Sequence, residues 1–192
     1  GNGNVVTVTR TTSDYDGVSV GGSFDVVLVK GKEGKITIEG EENIIPYIET
    51  EVSGNTLKIK YKKNTNIRTT RRLTVTVPYQ SIESVALGGS GKIELIIDTH
   101  SISTSIGGSG DIVLEGKTNE MQSKIAGSGS IKAFELTTDK LNATIAGSGS
   151  IKTTVKNQIK AKVVGSGSIY YKGKPKYIDT KSVGSGSVID RN

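Results

Sequence analysis

Six Gly-Ser-Gly triplets, beginning at Gly89, Gly108, Gly127, Gly147, Gly165 and Gly184, follow one another at intervals of 19, 19, 20, 18 and 19 residues. A unit this short cannot bury its own apolar face, so it must stack on its neighbours. With the first Gly of each triplet as position zero, plus four holds Ile93, Ile112, Ile131, Ile151, Ile169 and Val188. Minus two holds Leu87, Ile106, Ile125, Ile145, Val163 and Ser182. Minus six holds Ile102, Met121, Leu141, Ile159 and Ile178, with Ile82 one place off in the first copy. Minus four is small or β-branched, from Val85 and Thr104 to Ala161 and Thr180, whereas minus three is mostly polar. Apolar positions that recur with a period of two mark strands, and no 3.6-residue period competes.

Equivalent residues in every copy favour parallel stacking, which sets each Ile above the next at roughly 4.8 Å. The expected fold is all-β: a right-handed parallel β-helix with coils of about nineteen residues turning at Gly-Ser-Gly. Glycine at the turn permits backbone angles closed to other residues and close approach to the coil above. The middle serines predict a ladder of hydroxyls, and plus three predicts a second one, Lys92, Asp111, Ser130, Ser150, Ser168 and Ser187. Composition agrees with a thin aliphatic core, because the chain has no Trp, two Phe and 33% hydrophobic residues.

Residues 1–80 are less regular. Gly22-Ser23-Phe24-Asp25-Val26 reads as a degenerate copy with Val26 at plus four. Alternation continues through Val5–Thr9, Lys35–Glu39, Thr56–Tyr61 and Leu73–Val77, with turns expected at Asn43-Ile44-Ile45-Pro46 and Ser53-Gly54-Asn55. The basic stretch Lys62–Arg72 reads as a protruding loop. One domain over 1–192 is expected, with irregular coils or a cap at 1–80 and regular repeats at 81–192. Ser182 and Asp190 replace apolar residues of earlier copies, which suits a solvent-facing last coil. Open strand edges at the ends of such a stack would permit a homo-oligomer.

These pieces resemble the bacterial auto-transporter adhesin family with a head GIN domain. The resemblance rests on Gly22–Val26, the Leu57-Lys58-Ile59 strand, the Leu73–Pro78 strand and the repeated Gly-Ser-Gly-x-Ile, and covers nearly the whole chain. It implies a parallel β-helix exported to the periplasm or cell surface of a Gram-negative bacterium, held to the membrane only through an anchor outside this sequence. It supplies no catalytic residues. Gly1 in place of Met reads as a processed or truncated chain, so the lack of a visible signal segment says nothing about compartment.

Several chemistries are excluded or weakly supported. Zero cysteines remove disulfides, thiolate metal sites and thiol nucleophiles. Gly107-Gly108-Ser109-Gly110 starts like a calcium nonapeptide, but Ile112 stands where Asp is needed. Gly89-Ser90-Gly91-Lys92 lacks the Ser or Thr and the helix of a phosphate loop. The single histidine, His100, sits in a polar stretch expected to be a turn. Asp98, Asp139 and Asp179 fall at different repeat positions, which argues against the stacked carboxylates of a polysaccharide-cleaving β-helix. No catalytic, cofactor or metal site is assigned, and no cofactor is expected.

One pattern points to binding. Lys124, Lys162 and Lys181 share minus three, and Lys132, Lys152 and Tyr170 share plus five, with Tyr177 nearby. Outward lysines with tyrosines suit anionic glycans through charge and ring stacking. Lysine also keeps sheet edges soluble, so the same stripe serves a plain structural wall. Interspersed acidic residues and the lack of a recognised module argue against nucleic acid. The expectation is a non-enzymatic, extracytoplasmic adhesin-like or structural protein, with glycans or surface proteins as partners. The alternatives are a glycan-binding module and a polysaccharide-active enzyme.

Overall fold

The computed structural model describes residues 1–192. Fifteen strands form one continuous sheet wound into a β-solenoid of about six turns. They are β1 (Val5–Thr11), β2 (Gly17–Gly21), β3 (Asp25–Lys30), β4 (Lys35–Glu41), β5 (Ile48–Ser53), β6 (Thr56–Tyr61), β7 (Thr74–Tyr79) and β8 (Ser84–Gly89). The long strands β9 (Lys92–Gly108), β10 (Asp111–Gly127), β11 (Ser130–Gly147) and β12 (Ser150–Gly165) follow, then β13 (Ser168–Lys172), β14 (Tyr177–Val183) and β15 (Ser187–Asp190). A coil runs along a first wall up to its Gly-Ser-Gly corner and then along a second wall. Each long strand spans the second wall of one coil and the first wall of the next.

The repeat register is the pairing register. Ile93 pairs with Ile112, Ile112 with Ile131, Ile131 with Ile151 and Ile151 with Ile169, all in parallel ladders. Those five isoleucines are fully buried, and Ile106, Ile125, Ile145 and Val163 form a second buried column. Each contributes on the order of 1.5–3 kcal/mol by leaving water. Ile82, one place off in the repeat, still enters the core. Minus four also faces inward, and its buried hydroxyls satisfy each other where Thr104 meets Ser123 at 2.9 Å. Of the expected surface hydroxyl ladders only parts form, at Ser130 with Ser150 and at Ser185 with Ser166.

The corner is held chiefly by backbone hydrogen bonds. The carbonyl of Gly108 accepts the N–H of both Ser128 (3.0 Å) and Gly129 (2.9 Å) of the next coil, and every regular corner from Gly89 to Gly147 repeats this. Two hydrogen bonds to one carbonyl need the two backbones in contact. A Cβ on Gly129 would stand 2.5 Å from the carbonyl oxygen of Gly110, and Gly127 takes φ +122°, where side chains are rarely tolerated.

The N-terminal third departs from the simple stack in two ways. First, spatial order differs from chain order. The coil of β2 and β3 lies between the coil of β6 and β7 on one side and that of β8 and β9 on the other. Val26 pairs with Ile93, so the degenerate copy is a true coil of the solenoid. Second, the outermost rung is reversed. β4 runs antiparallel to β7 and β1, and β5 antiparallel to β6, closing the end that parallel strands would leave open. The Gly54-Asn55 turn joins β5 to β6 with φ of 54° and 64°, the two positive angles that a two-residue hairpin of type I′ requires. Asn43–Pro46 leads into a short 3₁₀ turn at Ile45–Tyr47.

Polar side chains fasten this cap. The Arg10 guanidinium donates to the carbonyls of Ile45 (2.9 Å) and Ile48 (2.5 Å). Lys62–Arg72 is irregular, but it does not simply protrude. Its end folds back onto the buried carboxylate of Glu41, which accepts from the Thr69 hydroxyl (2.5 Å) and from the backbone N–H of Thr70 (2.7 Å), Arg71 (3.2 Å) and Gly3 (2.7 Å). Those bonds, the Thr69 hydroxyl foremost, hold the Glu41 carboxyl well below the usual carboxylate range. His100 lies in strand β9 and is exposed, where the sequence suggested a turn. The last coil is solvent-facing as expected, with Ile178 54% exposed at a position buried in the preceding coils.

Three outcomes test this account. Gly129→Ala should cost about 1–3 kcal/mol in urea denaturation, as overpacking does. Gly107→Ala, which meets no atom within 4 Å, should change stability by less than about 0.5 kcal/mol. Glu41 contributes stability that is present above its unfolded pKa of about 4.3 and lost as pH falls toward its depressed folded value. The melting temperature should therefore drop between pH 5 and 3 (roughly, on that linkage), and drop less in Glu41→Gln.

Candidate functional site: the outer walls and a crevice

Side chains at odd offsets point away from the core, so the candidate lysines lie on the outside of the two walls. Lys124, Lys162 and Lys181 stand on the first wall in one column. Lys162 pairs directly with Lys181, while Thr144 separates Lys124 from Lys162. Neither Lys162 nor Lys181 has a carboxylate within ion-pair distance. Like charges on adjacent rungs repel, so this column costs stability unless an anion covers it.

Lys132, Lys152 and Tyr170 stack on consecutive rungs of the second wall. Asp111 neutralises Lys132 at 3.3 Å. Two cations lie over aromatic rings beside this column, Lys172 over Phe134 at 4.5 Å and Arg191 over Tyr170 at 4.7 Å. Tyr177 is 69% exposed on the first wall, in the last coil. The seven residues therefore form two faces, not one.

The three aspartates singled out in the sequence do not share one site. Asp98 sits 3.7 Å from Lys117, Asp139 accepts from Asn157, and Asp179 is on the other wall. Asp98 and Asp139 border one polar depression with Lys117 and Lys156.

A feature that residue patterns did not disclose lies on the second wall near the cap. β3 pairs with β9 only from Asp25–Lys92 to Val27–Glu94. Beyond that, β3 stays with β7, and β9 stays with β10. The strands part and leave a crevice of about 630 Å³ walled by Val27, Val29, Ile96, Val113, Ile82 and Tyr79. Ile96 is 66% exposed and Val29 41%. On the crevice floor the Tyr79 hydroxyl donates to the Ile96 carbonyl, and burial pushes that phenol above its usual pKa, so it stays a donor. Each residue here follows ordinary alternation. What makes the crevice is the order of the coils, to which the local sequence carries no signal.

Residues 14–175 match the family model described as "Putative auto-transporter adhesin, head GIN domain". The chain belongs to this family. The likeness read from Gly22–Val26 and the repeated Gly-Ser-Gly-x-Ile is thus shown. No curated protein matches the chain in sequence. Among solved structures, a "putative adhesin" of Bacteroides fragilis aligns at TM-score 0.81 and 20% identity, over 99% of this chain and 98% of that one. A "putative adhesin" of Parabacteroides merdae aligns at TM-score 0.59 and 22% identity, over 100% and 98%. Both likenesses bear on fold alone. A protein of Parabacteroides distasonis described as a "putative lipid binding protein" aligns at TM-score 0.60 and 27% identity, over 100% and 98%.

The Tyr79 contact has a measurable consequence. Tyr79→Phe keeps the ring but strands the Ile96 carbonyl, and should lower unfolding free energy by about 1 kcal/mol with an unchanged denaturant slope.

Proposed function

We propose that the protein is a non-enzymatic, extracytoplasmic adhesin-like surface protein whose rigid walls bind anionic glycans. The observation that carries this reading is the uncompensated Lys162–Lys181 stack on the first wall, with Lys124 in the same column. A continuous ladder holds the backbone positions of these lysines at a fixed spacing, so a repeating anionic polymer meets them in register and the remaining cost is the ordering of the lysine side chains. On the second wall Lys152 and the Arg191 guanidinium, held over the Tyr170 ring, supply further cations for the acidic groups of a glycan. Membership in an adhesin family supports the surface location and the non-enzymatic role.

The crevice favours a second reading, that the protein binds a lipid. The relative described as lipid binding supports it.

A glycan array at low and moderate salt tests the first reading. Wild-type protein should retain selected anionic glycans at moderate salt, and the triple variant Lys124→Glu, Lys162→Glu, Lys181→Glu should lose them. Binding that vanishes with salt for every anionic glycan alike would refute a specific glycan role, because unspecific charge attraction is screened over about 10 Å at 0.1 M.

A further inference from the structure

The crevice on the second wall exists because of the rung order. Chain leaving β7 must pass the β2–β3 coil to begin β8, and Gln80–Glu83 make that passage. β3 is drawn toward the cap by its ladder to β7, while β9 is held by β10. A gap between diverging strands follows, and side chains from both faces of the sheet line it. Leu28, Leu95 and Ile97 point inward and form its depth, and Val29 and Ile96 point outward and form its lips.

We propose that this crevice binds one alkyl chain of an amphiphile, with the anionic head group at Lys30. The proposal rests on the lipid-binding reading above and names its site and ligand class. Three observations carry it. The depth and lips of the lining are mostly aliphatic, with polar and charged residues at the rim, and the volume of about 630 Å³ falls within the range of small-ligand sites. The lips expose Ile96 and Val29 on a wall whose outward positions are otherwise mostly polar or charged, so a covering chain removes apolar surface from water.

The second observation concerns hydrogen bonding. A peptide strand entering the gap would need the free edge of β9, but the Ile96 carbonyl already accepts from Tyr79. A strand added here would compete with Tyr79 for that carbonyl, whereas an alkyl chain requires no hydrogen bond.

The third is charge. At the rim, Glu94 is tied to Lys92 at 2.5 Å and Asp98 to Lys117 at 3.7 Å. Lys30 has no carboxylate partner, and Glu115 at another point of the rim is likewise unpaired. An anionic head is repelled at Glu115 and attracted at Lys30, which orients the ligand.

Calorimetric titration with monomeric dodecanoate, and with dodecanol as the uncharged probe, tests the site. Wild-type protein should bind both. Ile96→Asp and Val29→Asp, at exposed positions where folding is retained and checked by thermal melts, should each weaken both ligands by about tenfold or more, since a carboxylate is costly beside an alkyl chain. Lys30→Glu should weaken dodecanoate by about tenfold and leave dodecanol nearly unchanged. Dodecanoate that does not bind, or that binds equally to the Asp variants, overturns the proposal, as does capture of an extended apolar peptide in preference to dodecanoate. Sedimentation with anionic vesicles separates the two levels. Vesicle binding without dodecanoate binding leaves the lipid reading standing and removes the crevice, whereas loss of both removes both.

Discussion

The contact between successive coils at the Gly-Ser-Gly corner is the constraint on which the rest depends. One glycine carbonyl receives two N–H groups from the coil above, and the second glycine of the triplet lies where any Cβ would strike the preceding backbone. That contact sets coil against coil without a sliding degree of freedom. Because side chains alternate with a period of two, a slip by one residue would turn every core isoleucine outward. The corner thus decides that Ile93, Ile112, Ile131, Ile151 and Ile169 form one buried column, and that the lysines at minus three form one exposed column.

A wall ordered in this way is suited to display. Its outward residues are held at the spacing of the backbone ladder, and their neighbours are set by register. The consequence is visible in the charges. Lys132 finds Asp111 one coil away, while Lys162 stands between Thr144 and Lys181. The first arrangement is an ordinary surface ion pair of small energetic weight. The second is a local excess of positive charge that a partner can relieve. Family membership fits this division between a structural core and a presenting surface.

The cap end follows a different logic. Its reversed rung satisfies strand edges that a parallel stack leaves exposed, and it needs polar fasteners because it lacks the corner contact. Arg10 and the buried Glu41 carboxylate serve there. Inserting the β2–β3 coil out of chain order joins the cap to the regular coils, and at that junction β3 and β9 part after Val27 and Glu94. The crevice is a product of this junction rather than of any motif.

Amino-acid order by itself determined the regular part of the fold: the repeat length, the strand period, the inward and outward positions, the parallel register and the family. All are local or periodic properties, and glycine, serine and isoleucine report them directly. The two lysine columns were legible for the same reason, since a column is a repeat position read across coils. Tertiary structure alone decided that those columns lie on separate walls, that Lys62–Arg72 ends on Glu41, that His100 belongs to a strand, and that the coil of β2 and β3 is inserted between two later ones. None of these is encoded in a window of neighbouring residues. They arise where distant segments compete for the same strand edges, and the crevice between β3 and β9 is the place where neither strand could satisfy both of its neighbours.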